Sequence, residues 1–549
     1  MNRALIRSTL RGASAAELQA MALPVAPRPA SAQPQRHPVV VVGAGPVGLS
    51  LAIDLAQRGR PVLLLEAGSS LSTGSRALCF AKRTLEIWDR LGVGQRMVDK
   101  GVSWNVGRVF LQTEQVYEFN LLPEAGHERP AFINLQQYYC EAYLLERLLQ
   151  FDSVQVRWGH QLAGIEARSD GATLTVQTAE GSYCLEADWV LACDGSRSSL
   201  RRLMGLETQG RVFQDRFLIA DVKMKAQFPA ERWFWFDPPF HPGQSVLLHR
   251  QSDDVWRIDF QLGWDADPEQ EKQPERILPR VRALLGQDAD FSLEWASVYT
   301  FACRRMERFV QGRVVFAGDA AHGVSPFGAR GANSGVQDAE NLAWKLDAVL
   351  GGRAGPALLD SYGLEREFAA DENILNSTRS TDFITPKSAA SRLFRDAVLG
   401  LARDHPFARR IVNSGRLSVP AVLSHSPLNT PDVDHFEASQ RVGAVLTDAP
   451  LSAANGQASW LLRELGADFT VLAFAPAPAW LAEIDGLKTL VIGGQLSDEA
   501  GLLARRLDAR GGTVYLVRPD QHVCARWRAP TREQLAAALA RAQGQWQPA

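Results

Sequence analysis

Apolar runs of two different periods divide the first part of the chain into strands and helices. The segments PVVVV (38–42) and PVLLL (61–65) are apolar throughout, which is typical of strands buried on both faces of a parallel sheet. Between them, PVGLSLAIDLAQRG (46–59) repeats its apolar positions with the period of an amphipathic helix. This order of strand, helix and strand predicts a doubly wound α/β domain.

Between about residues 208 and 300 the pattern changes to strict alternation with many aromatic residues. Segments such as RWFWFD (232–237) and VWRIDFQL (255–262) predict a mostly antiparallel sheet inserted into the first domain. Alternation divides the second segment into two faces: Trp256, Ile258, Phe260 and Leu262 on one, and Arg257, Asp259 and Gln261 on the other.

The remaining shifts in composition mark the other domain boundaries. Residues 1–37 are rich in Ala, Pro, Ser and Arg, carry Glu17 as the only acid, and predict a disordered tail that partly resembles a transit peptide. The stretch SHSPLNTPDVDH (424–435) reads as a linker before a small domain of alternating strands and helices. The predicted segments are a tail (1–37), a parallel-sheet domain (38–207), an inserted substrate domain (208–300), a second part of the first domain with a helical linker (301–430), and a C-terminal α/β domain (440–549).

Composition narrows the class of protein. With 549 residues and a formal net charge of −2, the chain is a multidomain protein with no general attraction for nucleic acid or a membrane surface. No apolar run reaches the length of a transmembrane helix. The six cysteines form no C-x-x-C pair, so we expect no metal site and a cytoplasmic protein with reduced thiols.

A glycine-rich turn follows the first strand. Gly43, Gly45 and Gly48 form G-x-G-x-x-G between strand and helix, where they permit a tight turn, approach of a pyrophosphate and close helix packing. Glu66 ends the second strand, where a carboxylate accepts hydrogen bonds from ribose hydroxyls. This motif predicts a dinucleotide site and does not separate FAD from NAD.

Two further strands end in turns of the same kind. Asp194 ends the strand WVLACDG, and the pair Gly318 and Asp319 ends RVVFAGD. Because ligands bind at the carboxyl ends of strands in such sheets, three ends can address one long ligand, which favours FAD. A helix beginning near Asn333 would direct its positive N-terminus at the flavin. We expect His322, in the turn GDAAH, to be a structural, hydrogen-bonded histidine.

These motifs resemble those of the class A flavoprotein aromatic hydroxylases, in particular the phenol hydroxylase and 3-(3-hydroxyphenyl)propionate hydroxylase branch. The resemblance covers roughly residues 38–390 and rests on G-x-G-x-x-G (43–48), CDGSRSSLRR (193–202) and GRVVFAGDAAHGVSPFGARGANSGVQDAENLAWKL (312–346). It implies a Rossmann-like FAD-binding domain, an inserted antiparallel-sheet substrate domain and a thioredoxin-like α/β domain at 440–549. Since that last domain lacks a C-x-x-C pair, we expect a structural or dimer-contact role and a homodimer.

The resemblance also assigns residues to the cofactor. It implies the following contacts: Glu66 with the adenosine ribose, Arg76 and Gln137 with the pyrophosphate and ribityl region, Asp194 within the Asp-Gly motif, Asp319 with the ribityl chain, and Pro326 at the flavin edge, where its carbonyl can face substrate or water. The chain departs from many relatives at Ala332, where they carry Met before Asn333.

The chemistry implied by the resemblance is hydroxylation of a phenol. NAD(P)H, bound transiently, reduces FAD, and O2 then gives a flavin C4a-hydroperoxide whose distal oxygen the phenol attacks. Two alternatives stay open, a flavin halogenase or double-bond reductase on the same fold, and a non-catalytic FAD-binding protein. The segment WFWFDP (233–238) lacks the Ile-Pro of the halogenase signature W-x-W-x-I-P.

The substrate is expected beneath the inserted sheet. An aromatic acid needs an apolar slot and one cation, for which Arg257 is the first candidate and His249 the second. Trp233, Trp235 and Tyr299 are candidate slot residues. The alternative places Arg257 on a solvated face, paired with Asp259. We predict a substituted phenol, such as a 3-hydroxyphenylpropionate-like acid.

Overall fold

The computed structural model describes residues 3–30, 33–226, 228–412, 417–484 and 486–545. Within the first range lie α1 (Arg3–Gly12) and α2 (Ala15–Ala20). Leu10 and Leu18 are buried in the core of the parallel-sheet domain, and Arg11 donates a hydrogen bond to the Glu146 carboxylate at 2.9 Å. The predicted disorder of residues 1–37 is therefore wrong for residues 3–30, because their partners come from a distant helix. Residues 1, 2, 31 and 32 lie outside the described ranges.

The next part of the chain builds most of the parallel sheet. Its elements are β1 (Gln35–Val42), α3 (Pro46–Gln57), β2 (Val62–Glu66), β3 (Cys79–Ala81), α4 (Lys82–Arg90), α5 (Gly94–Lys100), β4 (Val102–Trp104), β5 (Val106–Leu111), β6 (Glu114–Asn120), β7 (Phe132–Asn134), α6 (Gln137–Leu148), β8 (Val154–Trp158), β9 (Gln161–Arg168), β10 (Gly171–Thr178), β11 (Gly181–Ala192) and α7 (Ser199–Leu203). Apolar side chains of β1, β2, α3 and α6 form one continuous core.

The inserted region follows, and then the chain returns to the first sheet. The inserted elements are β12 (Thr208–Lys223), β13 (Arg232–Phe236), β14 (Ser245–Arg250), β15 (Val255–Leu262), α8 (Pro268–Glu271), α9 (Pro274–Leu285) and β16 (Ser292–Met306). The returning elements are β17 (Val310–Gln311), β18 (Val314–Phe316), a 3-10 turn (Gly318–Ala320), β19 (His322–Gly323), α10 (Gly331–Leu350), α11 (Leu358–Ile384), α12 (Ala389–Ala402) and α13 (Pro406–Ile411).

The parallel sheet aligns the strand ends that the sequence singles out. Its order is β17-β18-β11-β1-β2-β8, with β9 and β10 attached to β11. Val42 of β1 pairs with Ala192 of β11, and Ala192 pairs with Phe316 of β18. The three turns that follow these residues therefore lie side by side at one edge of the sheet.

The second sheet is mostly antiparallel, as predicted, with the order β19-β16-β12-β15-β14-β13-β5-β6. The hairpin of β5 and β6 belongs to it, because β5 pairs in parallel with β13. The predicted boundaries are wrong here: residues 106–120 lie in the substrate sheet although they precede residue 208, and β16 extends that sheet to Met306. Sequence alternation identifies strands, while pairing between distant segments decides which sheet they join.

The C-terminal region forms its own α/β layer. Its elements are β20 (Pro450–Ala453), β21 (Ala458–Trp460), α14 (Leu461–Glu464), β22 (Thr470–Phe474), a 3-10 turn (Ala479–Glu483), β23 (Lys488–Ile492), β24 (Leu496–Ser497), α15 (Leu502–Leu507), β25 (Val514–Val517), β26 (Val523–Trp527) and α16 (Arg532–Ala542). They give a seven-stranded sheet in the order β21-β20-β24-β23-β22-β25-β26. In the part of the chain that the structure describes, no helix has the length and apolar character needed to span a membrane.

Buried charges join this region to helices α10 and α11 of the parallel-sheet domain. Arg518 donates two hydrogen bonds to the Glu365 carboxylate at 2.6 and 2.9 Å, and Lys345 reaches the same carboxylate at 2.7 Å. All three side chains are fully buried. Trp344 of α10 packs beside them against Phe469. The C-terminal domain thus packs as one unit with α10 and α11, while its structural or dimer-contact role stays a prediction.

Candidate active site

The glycine turn after β1 has the geometry that its motif requires. Gly43 has φ +105°, and a Cβ there would lie 2.4 Å from the Cys193 carbonyl oxygen. A Cβ on Gly48 would lie 2.0 Å from the Gly43 carbonyl oxygen, so α3 can pack against the turn only with glycine there. Gly45 caps α3 and has open space around its Cβ position. The N-terminus of α3 is therefore accessible to a phosphate group.

Glu66 fixes this turn and keeps further capacity to accept hydrogen bonds. Its two carboxylate oxygens accept from the backbone amides of Ala44 and Gly68, each at 2.8 Å. A carboxylate offers about four acceptor sites, so two remain for ribose hydroxyls. The placement agrees with the predicted role of Glu66.

Asp319 lies exposed in the cleft at the end of β18. Surrounding protein atoms raise the pKa of its carboxyl by desolvation, and the charges of His322 and Arg76 oppose that shift. Arg76 is also exposed, on the segment that precedes β3. An acid that is accessible to solvent and yet crowded by protein is typical of the floor of a binding cleft. The structure thus brings Asp319 and Arg76 together at the same site.

Asp194 supplies a second polar group beside it. Its Oδ2 accepts hydrogen bonds from the Ser199 hydroxyl at 2.9 Å and the Leu200 amide at 3.1 Å. Its Oδ1 is buried and has no hydrogen-bond partner among the described residues. A buried carboxylate oxygen without a donor is costly, so a ligand hydroxyl would stabilise it.

His322 is structural, as expected from its tight turn. It is buried, and its Nε2 lies 2.7 Å from the Asp338 carboxylate. Asp338 also accepts from the Gly318 amide at 2.9 Å and from Arg366 at 2.6 Å. Burial acts to raise the pKa of Asp338, but His322 and Arg366 outweigh it and lower the pKa to about 2. This ionised carboxylate holds the turn that carries Asp319.

The side chain of Asn333 contacts protein instead of reaching into the cleft. Its amide donates to the carbonyls of Cys79 and Ala329, while its oxygen accepts from the Ala81 amide and the Thr84 hydroxyl, all at 2.6–2.9 Å. Asn333 therefore fixes the start of α10 to the segment after Arg76.

Gln137 and Pro326 also make local contacts. The Gln137 side chain accepts from the Ala77 amide at 3.0 Å and donates to the Glu141 carboxylate at 2.8 Å, so it orders the loop that carries Arg76. Pro326 is exposed, and its carbonyl accepts from the Ala329 amide at 3.1 Å. Neither contact excludes the predicted cofactor roles, which stay predictions.

The surroundings of Arg257 differ from those expected from the sequence. Its guanidinium is buried, donates two hydrogen bonds to the Asp221 carboxylate at 2.8 Å, and donates a third to the Ser75 carbonyl at 2.6 Å. The solvated pairing with Asp259 is therefore wrong. Its ion pair with Asp221 weighs against a role as a free carboxylate anchor, and that role stays a prediction.

Trp233 and Trp235 lie on the opposite face of the sheet from the one predicted. They pack with Trp256 and with α9 in a separate apolar core. Phe234 and Phe236, one position along, line an apolar pocket together with residue Phe327 of the returning loop. In RWFWF every residue is apolar after the first, so alternation alone could not decide which set faces the cavity. The apolar face of α9 was the signal that could have assigned the tryptophans to the core.

His249 and Tyr299 do lie on the cleft side of this sheet. Burial, with Arg232 and Arg257 nearby, holds the pKa of His249 well below its ordinary value, so the ring is neutral. Burial also raises the pKa of Tyr299 to about 12, although Arg257 and Arg76 act against the shift. The Tyr299 hydroxyl has no hydrogen-bond partner within the described ranges. Tyr299 therefore keeps its proton and can donate a hydrogen bond to a ligand oxygen.

Together, the residues at the strand ends fit FAD. The open N-terminus of α3 suits a pyrophosphate, Glu66 suits a ribose, and the exposed Asp319 and the unpartnered oxygen of Asp194 suit hydroxyls along a ribityl chain. The second sheet then covers the far side of the cleft with aromatic side chains.

Comparison with known proteins agrees with this assignment. A 3-(3-hydroxy-phenyl)propionate/3-hydroxycinnamic acid hydroxylase of Mycobacterium sp. (strain JLS) is 30% identical over 525 residues, covering 90% of each chain. The enzyme of the same name from Mycolicibacterium smegmatis is 28% identical over 536 residues, covering 91% of this chain and 92% of its own. The crystal structure of the flavin-dependent monooxygenase PieE with FAD and substrate has the same fold, with a TM-score of 0.81, 22% identity and coverage of 93% of this chain and 100% of that one.

The family model described as FAD binding domain matches residues 36–377, which include all of the strand-end turns and the substrate sheet. The protein is thus a member of this FAD-binding family, and FAD is its cofactor.

Proposed function

We propose that this chain is an FAD-dependent monooxygenase that hydroxylates a phenolic acid with NAD(P)H and O2. The observation that carries the proposal is a pocket lined by Phe327 and Gly328, on the loop that follows the strand-end turn of Asp319. The strand ends that fit FAD precede this loop in the chain, and Phe234 and Phe236 of the substrate sheet line the same pocket. Relatives named as hydroxylases of 3-(3-hydroxyphenyl)propionate support the same substrate class.

Bound in this cleft, FAD would accept electrons from NAD(P)H and activate O2 for transfer to the ring. The protein supplies binding, orientation and exclusion of water. The strand-end residues would hold the cofactor, and the aromatic pocket would hold the substrate ring in contact with the loop that carries Pro326. Tyr299, whose hydroxyl keeps its proton, is placed to donate a hydrogen bond to a ligand oxygen on the cleft side. A dry, apolar pocket limits the loss of activated oxygen to solvent.

The test is an assay of the purified holoenzyme with 3-(3-hydroxyphenyl)propionate, with unsubstituted phenol, and without substrate. We expect NAD(P)H consumption to rise with the acid, and mass spectrometry to show a product heavier by one oxygen atom that carries 18O from labelled O2. Oxidation of NAD(P)H that yields only hydrogen peroxide with every phenol would contradict the proposal. A halogenated or saturated product would point to the two alternative enzyme classes on this fold.

We further propose that the protein is a homodimer that joins through α12 and α13. These helices expose large apolar side chains, with Leu393 72%, Phe394 57% and Phe407 52% accessible. Apolar patches of this kind on a folded surface are typical of interfaces. Light scattering should give twice the mass of one chain, and Leu393→Glu should convert the dimer to a monomer. The exposed Val433→Glu, outside this patch, is the matched control. A monomeric wild-type protein would refute the proposal.

A further inference from the structure

Arg232 is a buried cation for which the described residues provide no hydrogen-bonding or ionic partner. It begins β13, is 8% exposed, and lines the same pocket as Phe234 and Phe236. No hydrogen bond or ion pair joins its guanidinium to any residue within the ranges that the structure describes. Because removing a charge from water costs several kcal/mol when nothing replaces the lost solvation, a site of this kind needs an explanation.

Three other arginines of the substrate sheet have the carboxylate partner that Arg232 lacks. Arg257 has Asp221, Arg108 has Glu231, and Arg250 has Asp254. Arg108 and Arg250 are partly exposed and still have a carboxylate within 3.0 Å. Arg232 is more deeply buried than either, and no carboxylate of the described residues forms an ion pair with it. These three cations therefore have a carboxylate partner, whereas Arg232 faces the pocket without one among the described residues.

The charges around Arg232 do not replace a counter-ion. His249 lies directly across from it in the β13–β14 pair, and burial together with Arg232 and Arg257 keeps that ring neutral. Asp259 lies two strands away and makes no hydrogen bond with Arg232; burial raises the pKa of its carboxyl to about 6, and the charges of Arg257 and Arg232 only oppose that rise. Cys79 is a protonated thiol, since burial raises its pKa to about 11. An anion from outside the chain would complete the site.

The remaining walls define which anion fits. Phe234, Phe236 and Phe327 surround the same space with aromatic surface, and Val109 and Ile384 close it with aliphatic side chains. Inorganic anions gain nothing from such walls, whereas a ligand with an aromatic ring and a carboxylate satisfies both parts.

We propose that Arg232 binds the carboxylate of the aromatic substrate and so sets the preference for phenolic acids over neutral phenols. This inference rests on the proposed function, because it assigns one end of the substrate of that reaction. It transfers to Arg232 the role that the sequence alone suggested for Arg257.

The first test uses the wild-type holoenzyme and two ligands that differ only in charge, 3-(3-hydroxyphenyl)propionate and its primary amide. Dissociation constants are measured from the change in flavin absorbance, without turnover. We expect the acid to bind about 10- to 100-fold more tightly, which is the usual effect of a charge-assisted bidentate contact. Equal affinity for the two ligands would overturn the inference whatever any variant does.

The second test compares Arg232→Met, Arg232→Lys and the control Arg108→Met. Arg108 is paired at the partly exposed opposite face, so its loss should leave the preference for the acid unchanged. Arg232→Met should raise the dissociation constant of the acid about 10- to 100-fold and that of the amide less than about 3-fold, and Arg232→Lys should restore part of the difference. Equal weakening for both ligands would show that Arg232 only shapes the pocket and would refute its role as anchor.

Failure of this inference can be told apart from failure of the proposed function. If labelled oxygen enters the acid and its amide with the same KM, the hydroxylase proposal stands and the Arg232 assignment falls. If the acid binds in preference to the amide through Arg232 and no oxygen is transferred, the assignment stands and the hydroxylase proposal falls.

Discussion

The cofactor cleft and the substrate sheet differ in how directly the sequence encodes them. In the cleft, the residues chosen from motifs lie together: Gly43, Asp194 and Asp319 follow three strands that are aligned in register. In the substrate sheet, the tryptophans predicted to line the slot pack in the core against α9 instead. Arg257, the predicted anchor, is paired with Asp221.

The difference follows from which atoms do the binding. A dinucleotide cleft is made largely by backbone turns and helix ends, and glycine positions specify such geometry locally. A substrate pocket is made by side chains on one face of a sheet. Since a shift of one residue exchanges the two faces, the packing of the other face decides which side chains meet the ligand.

The largest effect should come from two glycines of the same turn. Gly48→Val places side-chain atoms against the Gly43 carbonyl, so the protein should not fold, whereas the Cβ of Gly45→Val meets no protein atom within 4 Å, so that variant should fold without FAD. Circular dichroism and the flavin content after gel filtration measure the two outcomes. A folded Gly45→Val variant with full FAD would show that the backbone turn does not define the cofactor site.

Loss of Arg257 should be the next largest effect. Arg257→Met leaves the Asp221 carboxylate buried without its cation, which should lower the free energy of unfolding by about 3–5 kcal/mol. The exposed pair of Arg250 and Asp254 is the control, and Arg250→Met should cost less than about 1 kcal/mol. Urea denaturation measures both. A stable Arg257→Met protein with a raised KM for acids alone would restore Arg257 as the anchor and break the contrast drawn above.

Two adjacent residues of β13 test which face meets the substrate. Trp235 packs in the core with α9, so Trp235→Ala should lower stability by about 3 kcal/mol with little change in KM per folded enzyme. Phe234 lines the pocket and is half-buried, so Phe234→Ala should raise KM about 10-fold with a smaller loss of stability. Thermal unfolding and steady-state kinetics on both variants separate the effects. The reverse pattern would mean that the tryptophans form the slot after all.

The smallest effect concerns the pH dependence of stability at Asp259. Burial raises the pKa of its carboxyl to about 6, although Arg257 and Arg232 act against the shift. The folded protein therefore binds one more proton than the unfolded chain between about pH 4 and pH 6, and the contribution of Asp259 to stability falls as the pH rises through that window.

Asp259→Asn should remove this dependence. The variant should be more stable than the wild type at pH 7.5, by up to about 3 kcal/mol, and equal to it near pH 4. Urea denaturation of both proteins at several pH values between these limits provides the measurement. A difference that is independent of pH would show that the carboxyl of Asp259 is not held in an unfavourable environment in the folded state.

The sequence by itself determined the features that local chemistry specifies. The periods of the apolar runs identified the parallel and antiparallel segments, and the strand-end turns at Gly43, Asp194 and Asp319 identified the FAD site, because glycine and acidic residues at such turns have few other uses. The tight turn around His322 likewise indicated a structural histidine, and the structure shows its bond to Asp338.

Only the tertiary structure decided the features that depend on distant partners. Leu10 and Leu18 are ordered because they pack into a core that later segments of the chain form. The β5–β6 hairpin joins the substrate sheet because β5 pairs with β13. Arg257 and Arg232 look alike in sequence, since each lies in a short strand rich in aromatic and apolar residues. They differ in their partners: Asp221, 36 positions away along the chain, neutralises Arg257. Arg232 instead lines the pocket.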